Sequence, residues 1–106
     1  MGFEGEVWRL MRQEDLLGEI MIDKADFPWL NGRFVPTQTF GEVKPWFDES
    51  LALMVAEEYQ RFDDSYDRIA GALSLVAPAG PVAEFLLHIS DSRAWFRWSD
   101  EPFEDV

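Results

Sequence analysis

The sequence predicts an α+β, two-layer fold. An antiparallel sheet of about five to six strands, arranged as two β-meanders, carries two helices inserted mid-chain and packed on one face. Three observations predict it. Alternating apolar residues fill 6–35 and again 73–98, the period of half-buried strands. Between them, 40–72 places apolar residues at helical spacing. The remaining stretch, 99–106, is acidic and forms a tail. At 106 residues and 47% apolar content the chain can bury one core, so 1–106 is read as a single domain.

In the first meander, a strand over 6–12 ends at the polar turn Gln13-Glu14-Asp15 and returns as Leu16 to Asp23. Gly18, Ile20 and Ile22 share one face; Leu17, Glu19 and Met21 share the other. Asn31-Gly32 then reads as a type I′ hairpin turn, setting Leu30 beside Arg33 and Trp29 beside Phe34.

Thr39 and Glu42 have capping-box spacing, but Pro45 suits a first helical turn. A short turn over 39–43 and a main helix from Pro45 are therefore expected. One helix over 45–73 would be roughly 43 Å long, longer than the roughly 33 Å diameter of a compact chain of this size. A break is expected within 56–64, where Glu57, Glu58, Asp63 and Asp64 cluster.

In the second meander, Leu73 to Ala77 is a strand and Pro78-Ala79-Gly80-Pro81 a turn. Val82–Ile89 and Arg93–Trp98, joined by Ser90-Asp91-Ser92, form the hairpin at the centre of the sheet. Ala83, Phe85, Leu87 and Ile89 face the core; Val82, Glu84, Leu86 and His88 face away.

Composition narrows function. Without cysteine there is no disulfide, thiolate site or cysteine nucleophile, and one histidine excludes an imidazole-rich zinc site. No cofactor is expected. Twenty-one acidic against nine basic residues give −12, which opposes nucleic acid and anionic membranes. No basic and apolar leader pattern opens the sequence and no run could span a bilayer, so a cytoplasmic, soluble protein is expected.

Two sets of residues are candidates for function. Glu19, Met21, Glu84, Leu86, His88, Trp95 and Arg97 fall on the face opposite the apolar one. Aromatics and arginine are enriched at interfaces, so this set is a candidate partner-binding surface. Trp29, Phe34, Trp46, Tyr66 and Trp98 could instead line an aromatic pocket between helices and sheet. Catalysis finds no support: His88 lies near Ser90, Asp91 and Ser92, but no nucleophile elbow accompanies them. Asp63 and Asp67 share a helix face without a metal-binding loop.

Asp26-Phe27-Pro28-Trp29, Gly32-Arg33-Phe34 and Trp95 to Phe103 together resemble small acidic bacterial proteins known from genome sequences, which carry no assigned activity. The resemblance implies no cofactor or catalytic residue. The expectation is a non-enzymatic acidic protein binding a basic protein partner, or itself as a homodimer, through the sheet face opposite the helices. The alternative is a small-molecule binder or enzyme using the aromatic pocket.

Overall fold

The computed structural model describes residues 2–100. The chain runs β1 (Val7–Arg12), β2 (Asp15–Asp26), β3 (Trp29–Pro36), a 3₁₀ turn (Gln38–Glu42), α1 (Lys44–Val55) and α2 (Tyr59–Ala72). It continues as β4 (Ser74–Ala77), β5 (Gly80–Pro81), β6 (Glu84–Ser90) and β7 (Arg93–Ser99). The class is the α+β one expected, but the antiparallel sheet has seven strands, in the order β5-β4-β1-β2-β3-β7-β6. The added strand is β5, two residues of the segment read as a turn.

The segments of the second meander do not stay together. β4 pairs with β1, setting Leu10 against Leu75, whereas β7 pairs with β3 and carries β6 outside it. The β6–β7 hairpin forms where expected, but at the end of the sheet, not its centre. The sheet also curls. Trp8 of β1 reaches across the interior to Phe96 and Trp98 of β7, with ring centroids 5.0 and 5.4 Å apart. Residues 82 and 83 bridge the seam: Val82 N–H donates to the Leu75 carbonyl and Ala83 N–H to that of Ser99.

Asn31-Gly32 is not a turn. Gly32 lies mid-strand, between Ile22 on one side and Ala94 on the other. A Cβ there would run into the Met21 backbone and the Ile20 side chain. The glycine therefore serves a close approach of strands, and the chain reverses at Phe27-Pro28, where Asp26 pairs with Trp29.

The helical segment divides as its length requires. At the end of α1, Glu57 adopts φ 61°, its N–H donates to Met54 O and that of Glu58 to Leu53 O. This is a Schellman ending with glutamate in the left-handed position. Pro45 sits in the first turn of α1. The helices do not lie flat on one sheet face; they gather at the β6 edge. Tyr66 Oη donates to Phe85 O at 3.0 Å and accepts from Leu87 N–H at 2.8 Å. A terminal strand leaves such backbone groups unpaired, and this side chain satisfies two of them. On the inner side, Phe40 of the 3₁₀ turn packs between Phe34 and Phe47.

The core is the inner face of the curl: Trp8, Leu10, Ile20, Ile22, Leu30, Phe34, Phe85, Leu87, Ile89 and Phe96 are all buried. Alternation along each strand puts them there. No helix among the described residues is long and apolar enough to cross a membrane.

Candidate functional site

Register decides which side chains share the outer face of the sheet. Met21 lies between Val7 and Arg33, and Glu19 between Arg9 and Val35. Trp95 lies between Asn31 and His88, Arg97 is beside Leu86, and Ser99 beside Glu84. The seven residues of the first candidate set thus occupy one face, but that face has two unlike halves. Over β1–β3 it is open, with Val7, Met21 and Val35 exposed around Arg9, Arg33 and the half-buried Glu19. Arg93 and Asp23 pair there through two contacts of 2.7 and 2.8 Å. The guanidinium holds the Asp23 carboxyl below its ordinary value.

Toward β6 the same face is covered. His88, expected as a surface contact, is only 2% exposed. Trp29 stacks on it at 6.0 Å, Trp95 lies at 5.6 Å, and Phe62 of α2 closes over it at 6.0 Å. Neither ring nitrogen has a hydrogen-bond partner among the described residues. Burial pushes the imidazole below its ordinary value of 6.5, because the charged form would lose its water. His88 is therefore a neutral packing group. Leu86 and Trp95 are half-buried, Glu84 likewise, and Arg97 is exposed.

The second candidate set does not converge. Trp29 points outward onto His88, while Phe34 packs inward with Phe40. Trp46 sits under Arg68, 5.5 Å from its guanidinium, and Tyr66 seals the β6 edge. Trp98 borders two open cavities. Opposite strand parity separates Trp29 from Phe34, and no rearrangement of side chains could reunite them.

The charges are segregated. Arg9, Arg12, Lys24, Arg33, Arg93 and Arg97, six of the nine basic residues, lie on strands, with five acidic residues among them. The strands therefore carry a net +1 and the rest of the sequence −13, of which the two helices account for −2 and the turns and termini for nearly all the remainder. Glu57, Glu58, Asp63, Asp64 and Asp67 crowd α2 and its approach, all exposed.

One open site combines acidity with aromatic walls. At the end of the curl where β1 begins and β7 ends, a cavity of about 270 Å³ opens between Trp8, Trp98, Phe3 and the turn Ala77–Pro81. Among the described residues, Glu6 and Asp100 line it and no lysine or arginine does. Glu6 accepts a hydrogen bond of 2.9 Å from Trp8 Nε1. Phe3 stands edge-on to Trp98 at 6.4 Å and divides this cavity from a second, which Arg97 and Phe27 border. Barrel-like curls hold ligands at their mouths; at the other end of β3, the buried Phe40 packs on Phe34. Apart from Trp98, sequence reading misses these residues. Trp8 and Trp98 lie on strands separated by two others in the sheet, and only the curl brings them together. The legible signal was a tryptophan next but one to a glutamate at the head of an alternating strand.

Among the described residues, no group of three or more acidic or histidine side chains is placed to hold a metal ion. No protein-family model matches the chain, and neither the curated proteins nor the solved structures yield a match.

Proposed function

We propose that this chain is a non-enzymatic interaction domain that captures a basic protein partner on its acidic surface, formed by the helices and the mouth of the curled sheet. The observation that carries this reading is the segregation of charge: the strands bear most of the arginines, while the turns, the approach to α2 and the mouth bear the excess of carboxylates. A negative field of this kind accelerates the approach of a cationic partner and orients it toward the carboxylate-rich side. The reading moves the partner away from the outer sheet face, because Arg9 and Arg33 there repel a basic surface and His88 is not accessible.

The test is retention of a partner by the tagged chain from a lysate of its own organism, at about 50 mM and about 500 mM salt, since screening weakens exposed charge pairs. One basic protein held at low salt and lost at high salt is the expected result. Replacing Asp63, Asp64 and Asp67 together with Asn should weaken that capture roughly tenfold, since each exposed pair contributes only modestly. Replacing Arg9 and Arg33 with Gln should leave it intact or strengthen it. The opposite ranking would return the partner to the outer sheet face, and no retained protein at either salt would end the reading.

A second reading, self-association, has its own observation. Val7 and Met21 are direct cross-strand neighbours, and Val35 flanks them on the next strand, all three exposed. Exposed apolar neighbours mark association surfaces. Sedimentation of the wild type against Met21→Glu decides it: a dimer that dissociates in the variant supports self-association, and a wild-type monomer at all concentrations removes it.

A further inference from the structure

We infer that the cavity at the mouth of the curl is a socket for one arginine side chain of the basic partner, an inference that rests on the reading above. Its size is the first argument. At about 270 Å³ it has room for a single inserted side chain.

Its walls are the second argument. Trp8 lies beneath the floor, only 1% exposed, so the half-buried Phe3 and Trp98 supply the aromatic surface that a cation can reach. Trp98 tilts against Trp8 at 58°, and Phe3 closes the side edge-on. The negative faces of aromatic rings attract a cation, most strongly when water is excluded. The carboxylates are the third. Glu6 is fixed by the indole N–H of Trp8 through one oxygen, which leaves the other available, and Asp100 lies on the opposite strand end.

Arginine fits this combination better than lysine. Its guanidinium is flat, weakly hydrated and forked, so it can lie against a ring while donating to carboxylates on two sides. A lysine ammonium is compact and strongly hydrated, and gains less from an apolar floor. The neighbouring cavity shares Phe3 and Trp98 but has no carboxylate among the described residues that line it, so it offers a cation no counter-charge. The socket therefore lies on the Ala77–Pro81 side of Phe3.

The experiment uses Nα-acetyl-arginine methylamide as probe and its citrulline counterpart as the uncharged control. The indole N–H resonances of Trp8 and Trp98 are followed by NMR in the full chain. The arginine probe should shift both indoles and saturate in the range of about 1–10 mM. Citrulline, which keeps the shape and loses the charge, should shift neither at equal concentration. Glu6→Gln and Asp100→Asn should each weaken the arginine response roughly threefold to tenfold. Asp100→Asn is a surface change at a strand end, so it tests the carboxylate even if Glu6→Gln disturbs Trp8. Equal responses to both probes, or none from either indole, would overturn the socket. If the probe fails while a basic protein is still retained at low salt, the socket falls and the wider reading stands. If the partner is also missing, both fall.

Discussion

The two halves of the outer sheet face obey the same alternation and end in opposite states. Over β1–β3, Val7, Met21 and Val35 lie in the open beside Arg9 and Arg33. Two strands from Val35 and four from Val7, Trp29, Trp95 and Phe62 enclose His88 so fully that its imidazole is kept neutral with no hydrogen-bond partner among the described residues. Both halves are mixtures of apolar and polar residues in sequence. The difference is α2, which reaches the β6 edge through Tyr66 and lays Phe62 over the adjoining surface. Alternation assigns a side chain to a face; it says nothing about what else in the molecule lies on that face.

The contrast can be broken most forcefully at its cover. Phe62→Ala should cost about 3 kcal/mol of folding stability in denaturant titration, as expected for a buried aromatic truncated beside a ring cluster. Met21→Ala, on the open half, should stay within about 0.5 kcal/mol of wild type. Equal costs would show that the two halves do not differ in the way described.

Next comes the edge itself. Tyr66→Phe removes one hydroxyl and leaves the Leu87 N–H and the Phe85 carbonyl without their partner, both buried. The expected loss is about 1–3 kcal/mol. Amide exchange at Leu87 should rise with it, because the proton now lacks an acceptor. A stable variant with an unchanged Leu87 amide would mean that the β6 edge is sealed by something other than Tyr66.

His88 sharpens the comparison through pH. Its folded pKa lies below the unfolded 6.5, so the unfolded state binds more protons in that interval. Stability is therefore full above 6.5 and declines as pH falls below it toward the depressed folded value, by at most about 1.4 kcal/mol per pH unit. His88→Leu should flatten this slope between pH 6.5 and 5. At pH 7 it should match or exceed wild type by about 1 kcal/mol, since it deletes an unpartnered buried polar group. A slope that survives in the variant would assign it to carboxylates instead.

The smallest effect concerns the end of α1. Glu57→Gly should stabilise by about 0.5 kcal/mol, because glycine adopts the positive φ found there at no steric cost. A destabilised variant would argue that the glutamate side chain contributes more than its backbone strain removes.

The candidate site was legible only in pieces. Strand parity correctly grouped Glu19, Met21, Glu84, Leu86, His88, Trp95 and Arg97 on one face, because period two is a local property. It could not show that half of that face is covered, since Phe62 lies more than twenty residues from His88 in the chain. The aromatic pocket set failed for a related reason. Trp29 and Phe34 are close in sequence, yet five residues of strand send them to opposite faces. The mouth was invisible because Phe3, Trp8 and Trp98 meet only through curvature of the sheet.

What the sequence determined by itself is what depends on neighbours along the chain. It set the alternating strands, the helical segment split beyond Val55, the Asp91-Ser92 turn, the absence of thiol chemistry and the acidic balance. Only the tertiary structure decided which strands pair. Asn31-Gly32 has the strongest local hairpin signal in the chain, yet Gly32 is spent on close packing between β2 and β7. β4 left its expected partners for β1, and the curl made a mouth from residues of both ends. Local preferences amount to about 1 kcal/mol per residue, whereas burying one aromatic side chain in the core is worth several times that. Where the two disagree, packing prevails.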